Sequence, residues 1–285
     1  MIDELDLRLL RTFAVIAETG TLSRAGTRVG RTQAAISLQV KRLEEIVGHT
    51  LLDRSGRGVS LTAHGTRLLA HAQRILRYHD EALAELSGKG LVGTIRFGCP
   101  DDYAVVILPH LLRGFAREHP GVLVEVHCAH TPRLLERLER HGLDLALTSV
   151  AEPEKGKTII RREPLVWVGS VGSNVPRLDP LRLALTDPDT LDHRAARRSL
   201  EKAGRAYRIA YASASLPGLT AVVRSGQAIA VLTRTAVPED LRVLPPESGL
   251  PPLPSVGITL TVDSDQPSAL VSAFAEHVRL ALPTI

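Results

Sequence analysis

The sequence predicts an α+β chain of several domains: an amino-terminal winged helix-turn-helix, a linker helix, and two α/β subdomains. Three observations predict it. Apolar residues recur at helical spacing up to about Leu86, punctuated by Gly20, Gly30 and Gly48. Beyond Ser87-Gly88-Lys89-Gly90 the period changes, and short strand-like runs alternate with helical ones, the pattern of a parallel sheet covered by helices. The length, 285 residues, is enough for two or three domains that each bury a core.

Residues 5–19 read as a first helix, with Leu9, Phe13 and Ile16 on one face. Gly20 breaks it, and Thr21 or Ser23 can cap a short second helix to about Val29. Gly30 turns the chain into a third helix, capped by Thr32 and stopped at Gly48. Ile36, Val40, Leu43 and Val47 fall on one side of it. The other side carries Ala34, Leu38, Lys41 and Arg42, flanked by Ser37 and Gln39. Such a face suits the major groove of double-stranded DNA: Lys and Arg neutralise phosphates, while Gln, Ser and methyl groups touch base edges. The plain alternative is an amphipathic surface helix. Leu51 to Thr62 then reads as two short strands around Ser55-Gly56-Arg57-Gly58, a wing carrying Arg54 and Arg57.

Charge follows the same division. The chain nets +4, but residues 20–70 hold eight basic residues against three acidic ones, a local +5. That concentration is the electrostatic footprint of a nucleic-acid-binding segment. Aromatics at 3% argue against single-strand stacking. Two cysteines, Cys99 and Cys128, make no disulfide framework. The acidic start and the lack of a spanning apolar run predict a cytoplasmic protein with no membrane contact.

Several blocks in register resemble the winged helix-turn-helix of LysR-type transcriptional regulators. They are Leu9 to Gly20, Arg31-Thr32-Gln33-Ala34-Ala35-Ile36-Ser37, Arg42-Leu43-Glu44-Glu45, Leu52-Asp53-Arg54, and Arg57-Gly58-Val59-Ser60-Leu61-Thr62 followed by Gly65. The resemblance implies DNA contact through Arg31, Thr32, Gln33, Ala34, Ser37, Leu38, Lys41, Arg42, Arg54 and Arg57. There are departures. The family often has Pro at position 34, Arg at 38 and Ala at 26, where this chain has Ala34, Leu38 and Gly26. An Arg-to-base contact at 38 therefore does not carry over, and a methyl contact from Leu38 to thymine takes its place as an expectation.

From Thr62 to about Leu86 the chain is helical, with Leu69, Ala72, Leu76, Leu83 and Leu86 on a heptad-like seam that His79 weakens. Such a helix either buries one face on its own domain or, as the resemblance implies, dimerises. After the glycine joint, strands are expected at Gly93–Gly98, Val122–His127 and Leu143–Leu147, with helices near Leu108–Arg117 and Pro132–Arg140. A second unit has strands near Leu165–Val168, Arg182–Leu185, Tyr207–Tyr211, Ile229–Leu232 and Ile258–Val262, and helices near Asp192–Ala203 and Leu216–Ser225. The last helix, Ser268–Leu280, is expected to fold back on the first unit. The resemblance implies a periplasmic-binding-protein-like effector region of two subdomains joined by crossing strands. The expected domains are residues 1–61, 62–88, 91–161 with 264–285, and 162–263.

In open α/β sheets ligands lie beyond the carboxyl ends of strands. Three loops occupy such places: Gly98 to Tyr103, Ala129 to Pro132, and Ala212 to Ser215. By the resemblance, effector contacts fall on Asp101 or Asp102 with Tyr103, on His130 and Thr131, and on Ser213 or Ser215. Two aspartates repel a simple anion and favour amines, hydroxyls or a cation; helix capping is their structural alternative. His127, Cys128 and His130 make a poor metal site, because neighbours on a strand face opposite ways. Cys128 is expected in the core and Cys99 in the cleft. No nucleophile elbow, phosphate loop or zinc-type cysteine pairing is present. The sequence thus predicts no catalytic residue, metal or cofactor. It predicts a regulator that partners DNA, an unidentified small-molecule effector and copies of itself, as a homodimer or homotetramer. The alternative is a small-molecule-binding protein without sequence-specific DNA reading.

Overall fold

A computed structural model describes residues 4–55, 58–86, 90–151, 158–264 and 267–285. The chain divides into two compact units, residues 1–93 and 94–285.

The first unit opens with three helices, α1 (Leu7–Thr19), α2 (Leu22–Val29) and α3 (Gln33–Val47). Asp6, Thr21 and Thr32 cap them, each accepting a backbone N–H, and each helix ends on a glycine. Leu10, Phe13, Ile16, Ala25, Ile36, Val40 and Leu43 are buried together. Each large side chain so buried contributes about 1.5–3 kcal/mol. Thr12 donates to the Gln39 carbonyl oxygen at 2.9 Å, tying α1 to α3. The wing is β1 (Leu52–Ser55) paired antiparallel with β2 (Gly58–Leu61). Glu44 Oε1 accepts from the Leu51 N–H at 2.8 Å, and the Val59 N–H donates to the Gly20 carbonyl at 2.9 Å, so both ends of the wing are anchored. A Cβ at Gly65 would stand 2.1 Å from the Leu51 carbonyl oxygen, which makes glycine obligatory there.

Helix α4 (Ala63–Leu86) carries the expected seam, and the seam divides. Ala72 is buried, and Leu69 and Leu76 pack against the helical core. Leu83 and Leu86 are exposed, at 56% and 86%. The joint at Ser87-Gly88-Lys89 lies outside the described residues.

In the second unit, β3 (Gly93–Cys99), α5 (Asp101–Ala104), α6 (Ile107–Glu118), β4 (Val122–Cys128), α7 (Thr131–Glu139) and β5 (Leu145–Ala151) follow in order. Then come β6 (Arg161–Ser170), β7 (Leu181–Leu185), α8 (Leu191–Lys202), β8 (Tyr207–Ala212), α9 (Leu216–Arg224), β9 (Ala230–Thr233), β10 (Leu241–Val243), β11 (Ser255–Val262) and α10 (Ala269–Ala281). A seven-stranded sheet runs β10-β6-β11-β5-β3-β4, with β9 also on β6; β7 and β8 form a parallel pair. An isolated bridge from Leu183 to Ile229 sets that pair beside β9.

Strand β6 crosses between two halves. Its residues 161–164 pair with β11, and 165–170 pair with β9 and β10. Strand β11, expected in the second subdomain, is hydrogen-bonded to β5 from Val256 to Val262 and so lies in the sheet of the first half. Apolar alternation marks it as a strand but does not name its partner. Helix α10 returns to the first half, as expected. Phe274 meets Phe97 and Phe115 edge-on at 5.1 and 4.8 Å, and His277 Nε2 lies 3.0 Å from the Leu111 carbonyl. Among the described residues no helix is long and apolar enough to cross a membrane.

Candidate nucleic-acid interface and ligand cleft

On α3 the buried stripe Ile36, Val40 and Leu43 fixes which residues point away from the core. Arg31, Thr32, Gln33, Ala34, Leu38, Lys41 and Arg42 are exposed, and Ser37 is half-buried. Thr32 Oγ1 accepts the Ala35 N–H at 3.2 Å, and Lys41 lies 3.8 Å from Glu45. Leu38 is 69% exposed in the middle of this polar face. The helix amino end adds a positive partial charge suited to phosphate. Gln39, by contrast, is held inward by Thr12. Arg54 stands on β1 opposite Val59, whereas Arg57 lies outside the described residues.

Between the two halves of the second unit lies a cavity of about 470 Å³. Val150 of β5, Leu165 of β6 and Val256 of β11 line it, with Asp101, Asp102, His130 and Thr131 from the first half. Thr186, Thr190, Asp192, Arg194 and Thr233 line it from the second. Thr131 Oγ1 accepts the Ser149 N–H at 2.9 Å, which fixes the start of α7 against β5. Asp102 Oδ2 accepts the Thr233 hydroxyl at 3.1 Å. The Thr186 hydroxyl lies 2.7 Å from that of Thr190 and donates to Asp192. Burial, and then the charge of Asp192, push the Asp102 carboxyl up from 3.8 to about 7, against the opposing effects of Thr233 and His130. His130 Nε2 is buried with no hydrogen-bond partner among the described residues.

Three expectations need correction. Tyr103 does not line the cavity: it is wholly buried, its hydroxyl 2.7 Å from Ser149 Oγ. On a helical turn that presents Asp101 and Asp102 to the cleft, the next side chain swings into the core. Ser213 and Ser215 also stand outside the lining. Ser215 Oγ caps α9 by accepting the Gly218 N–H, and the Ser213 hydroxyl donates to the Ser215 carbonyl at 3.2 Å. The loop after β7 and the first turn of α8 supply Thr186, Thr190 and Asp192 instead, because β7 sits between β8 and β9 while β8 is at the edge. The same strand-end rule applied to Arg182–Leu185 would have found them. The cysteines exchange places: Cys99 is buried, its thiol pushed well up by burial and then by Cys128, whereas Cys128 is exposed.

A family model described as the bacterial regulatory helix-turn-helix protein of the lysR family matches residues 7–66. A second, described as the LysR substrate binding domain, matches residues 88–283. The HTH-type transcriptional regulator DgdR of Burkholderia cepacia is 60% identical over 281 residues, 99% of this chain and 96% of that protein. Among solved structures, ArgP from Mycobacterium tuberculosis aligns with a TM-score of 0.69 at 18% identity, over 98% of this chain and 97% of that one. Full-length CbnR complexed with its target DNA aligns at 0.66 and 22% identity, over 97% of this chain and 100% of that one. At such identities the two structures speak for the fold alone.

Proposed function

The chain belongs to the LysR family of helix-turn-helix transcriptional regulators, a DNA-binding regulator with a substrate-binding domain, and from that premise we propose how its side chains divide the work. Helix α3 enters the major groove. Its first turn, Arg31 to Ala34, with Ser37 and Leu38, meets base edges, while Lys41 and Arg42 hold phosphates. Arg54 on β1 takes the flanking backbone, and the sequence assigns Arg57 the same part. The observation that carries this reading is Leu38, a leucine 69% exposed beside basic residues on a helix whose other side buries Ile36, Val40 and Leu43. A methyl-rich side chain so placed suits the thymine methyl.

The cavity between the halves holds a small-molecule effector. Binding across two walls favours one arrangement of the halves, and that preference is the energy available to the DNA-reading heads. The exposed apolar end of α4 pairs copies of the chain, giving a dimer or tetramer that reads repeated half-sites in the cytoplasm, where the chromosome lies.

Footprinting on genomic fragments selected by the purified chain tests the reading. Two protected half-sites are expected, lost in Ser37→Ala through altered base preference. Lys41→Ala/Arg42→Ala should weaken all sites alike and lower the salt slope by about 2, at ~0.9 per phosphate contact. Diffuse binding with no preferred fragment would leave a ligand-binding protein that does not read sequence.

A further inference from the structure

We propose that the effector carries a protonated amine, clamped between the carboxylates of Asp102 and Asp192 on opposite walls of the cleft; this rests on the cleft being the effector site. Asp102 comes from the start of α5 in the first half, and Asp192 from the first turn of α8 in the second. Both line the same cavity. Each is steadied by a neutral hydroxyl, Thr233 for Asp102 and Thr186 for Asp192, and among the described residues no lysine or arginine pairs with either. Four carboxylates line the cavity, Asp101, Asp102, Asp189 and Asp192, against the single guanidinium of Arg194.

Carboxylates on two walls with no lysine or arginine paired to them are costly in a partly desolvated site, and a ligand ammonium supplies the missing charge. An anionic ligand meets repulsion instead. His130, half-buried and with no hydrogen-bond partner for its Nε2 among the described residues, lines the same wall as Asp102. Besides hydroxyl-bearing residues, Leu135, Val150, Leu219 and Val231 line the cavity, so the amine would sit on a compact hydrocarbon body.

The placement also explains how binding would select one arrangement. Without a cation, like charges on the two walls oppose approach; with one between them, both walls are attracted to it. The ligand's charge therefore discriminates between open and closed halves. A proton on Asp102 competes with the ammonium. Its carboxyl is raised to about 7, facing Asp192 from α8 and His130 from the loop before α7, with Cys99 and Tyr103 beside it on its own segment. Asp101, Asp189 and Arg194 line the same space. Amine affinity should accordingly rise between about pH 6 and 8, over which an alkylamine stays protonated.

Calorimetry on the full chain with cyclohexylamine, cyclohexanol and cyclohexanecarboxylate tests this, since the three differ mainly in charge. The amine should bind at least about tenfold more tightly than either other probe. Asp102→Asn and Asp192→Asn, confirmed as folded by circular dichroism, should each collapse that difference, and Asp102→Asn should flatten the pH dependence. An alcohol or acid that binds as well as the amine, unchanged in both variants but blocked by the cavity-filling Leu216→Trp, overturns the amine class and leaves the cleft as effector site. Amine binding that survives Leu216→Trp overturns the cleft reading itself. Binding by none of the three overturns the proposal.

Discussion

At Gly26 one hydrogen atom decides how closely α2 approaches the start of α3. A Cβ there would stand 2.7 Å from the Arg31 carbonyl oxygen, a backbone atom that cannot swing aside. The alanine usual at this position in LysR proteins requires a slightly wider turn than this chain has. Gly26→Ala gains about 1 kcal/mol of helix propensity but meets an overlap that costs about 1–3 kcal/mol. A net loss of up to about 2 kcal/mol in urea denaturation is expected, and a midpoint that rises by the propensity gain would show that the turn yields. Asp102 gives a test whose sign depends on pH. Its folded value of about 7 exceeds the ordinary 3.8, so between those values the folded chain holds a proton that the unfolded chain has lost. Stability therefore falls as pH rises through that window and levels off above it. Asp102→Asn should stabilise the ligand-free chain more at pH 8 than at pH 5, by about 1–2 kcal/mol after allowance for solvent at the cleft. Equal melting shifts at both pH values would contradict the raised carboxyl.

Helix α4 shows that a periodic seam is not one interface. Ala72 is buried on the helical core, while Leu83, eleven positions later, is 56% exposed. Ala72→Leu should overpack its own unit and lower stability by about 1–3 kcal/mol. Leu83→Glu should leave the melting temperature in place and weaken self-association in analytical ultracentrifugation; a lowered melting temperature with intact association would reverse the assignment. Other elements mark where sequence reading stopped. The three amino-terminal helices were legible because caps, glycines and apolar spacing agree, and Asp6, Thr21 and Thr32 do cap them. Strand β11 was legible as a strand but not as a partner of β5, since pairing across more than a hundred residues leaves no local mark. Sequence points to Ser213 and Ser215 and not to Thr186 and Thr190, because the order of β7, β8 and β9 in space is not their order in sequence. The exchange of Cys99 and Cys128 has a similar origin. Strand β3 is covered on both faces, whereas β4 is the sheet's edge.

Across the whole molecule, the first half of the effector-binding unit is assembled from distant stretches, β3 to β5 and β11 to α10, with the second half inserted between them. A ribosome therefore delivers Phe274 more than a hundred residues after Phe97 and Phe115, the rings it packs against. At ~5–20 residues per second that interval is on the order of ten seconds, during which two aromatic rings and the face of α6 have no cover. The inserted half has all of β6 to β10 available before β11 emerges. The half translated first is thus completed last, and until α10 docks the nascent chain presents an apolar surface that invites chaperones.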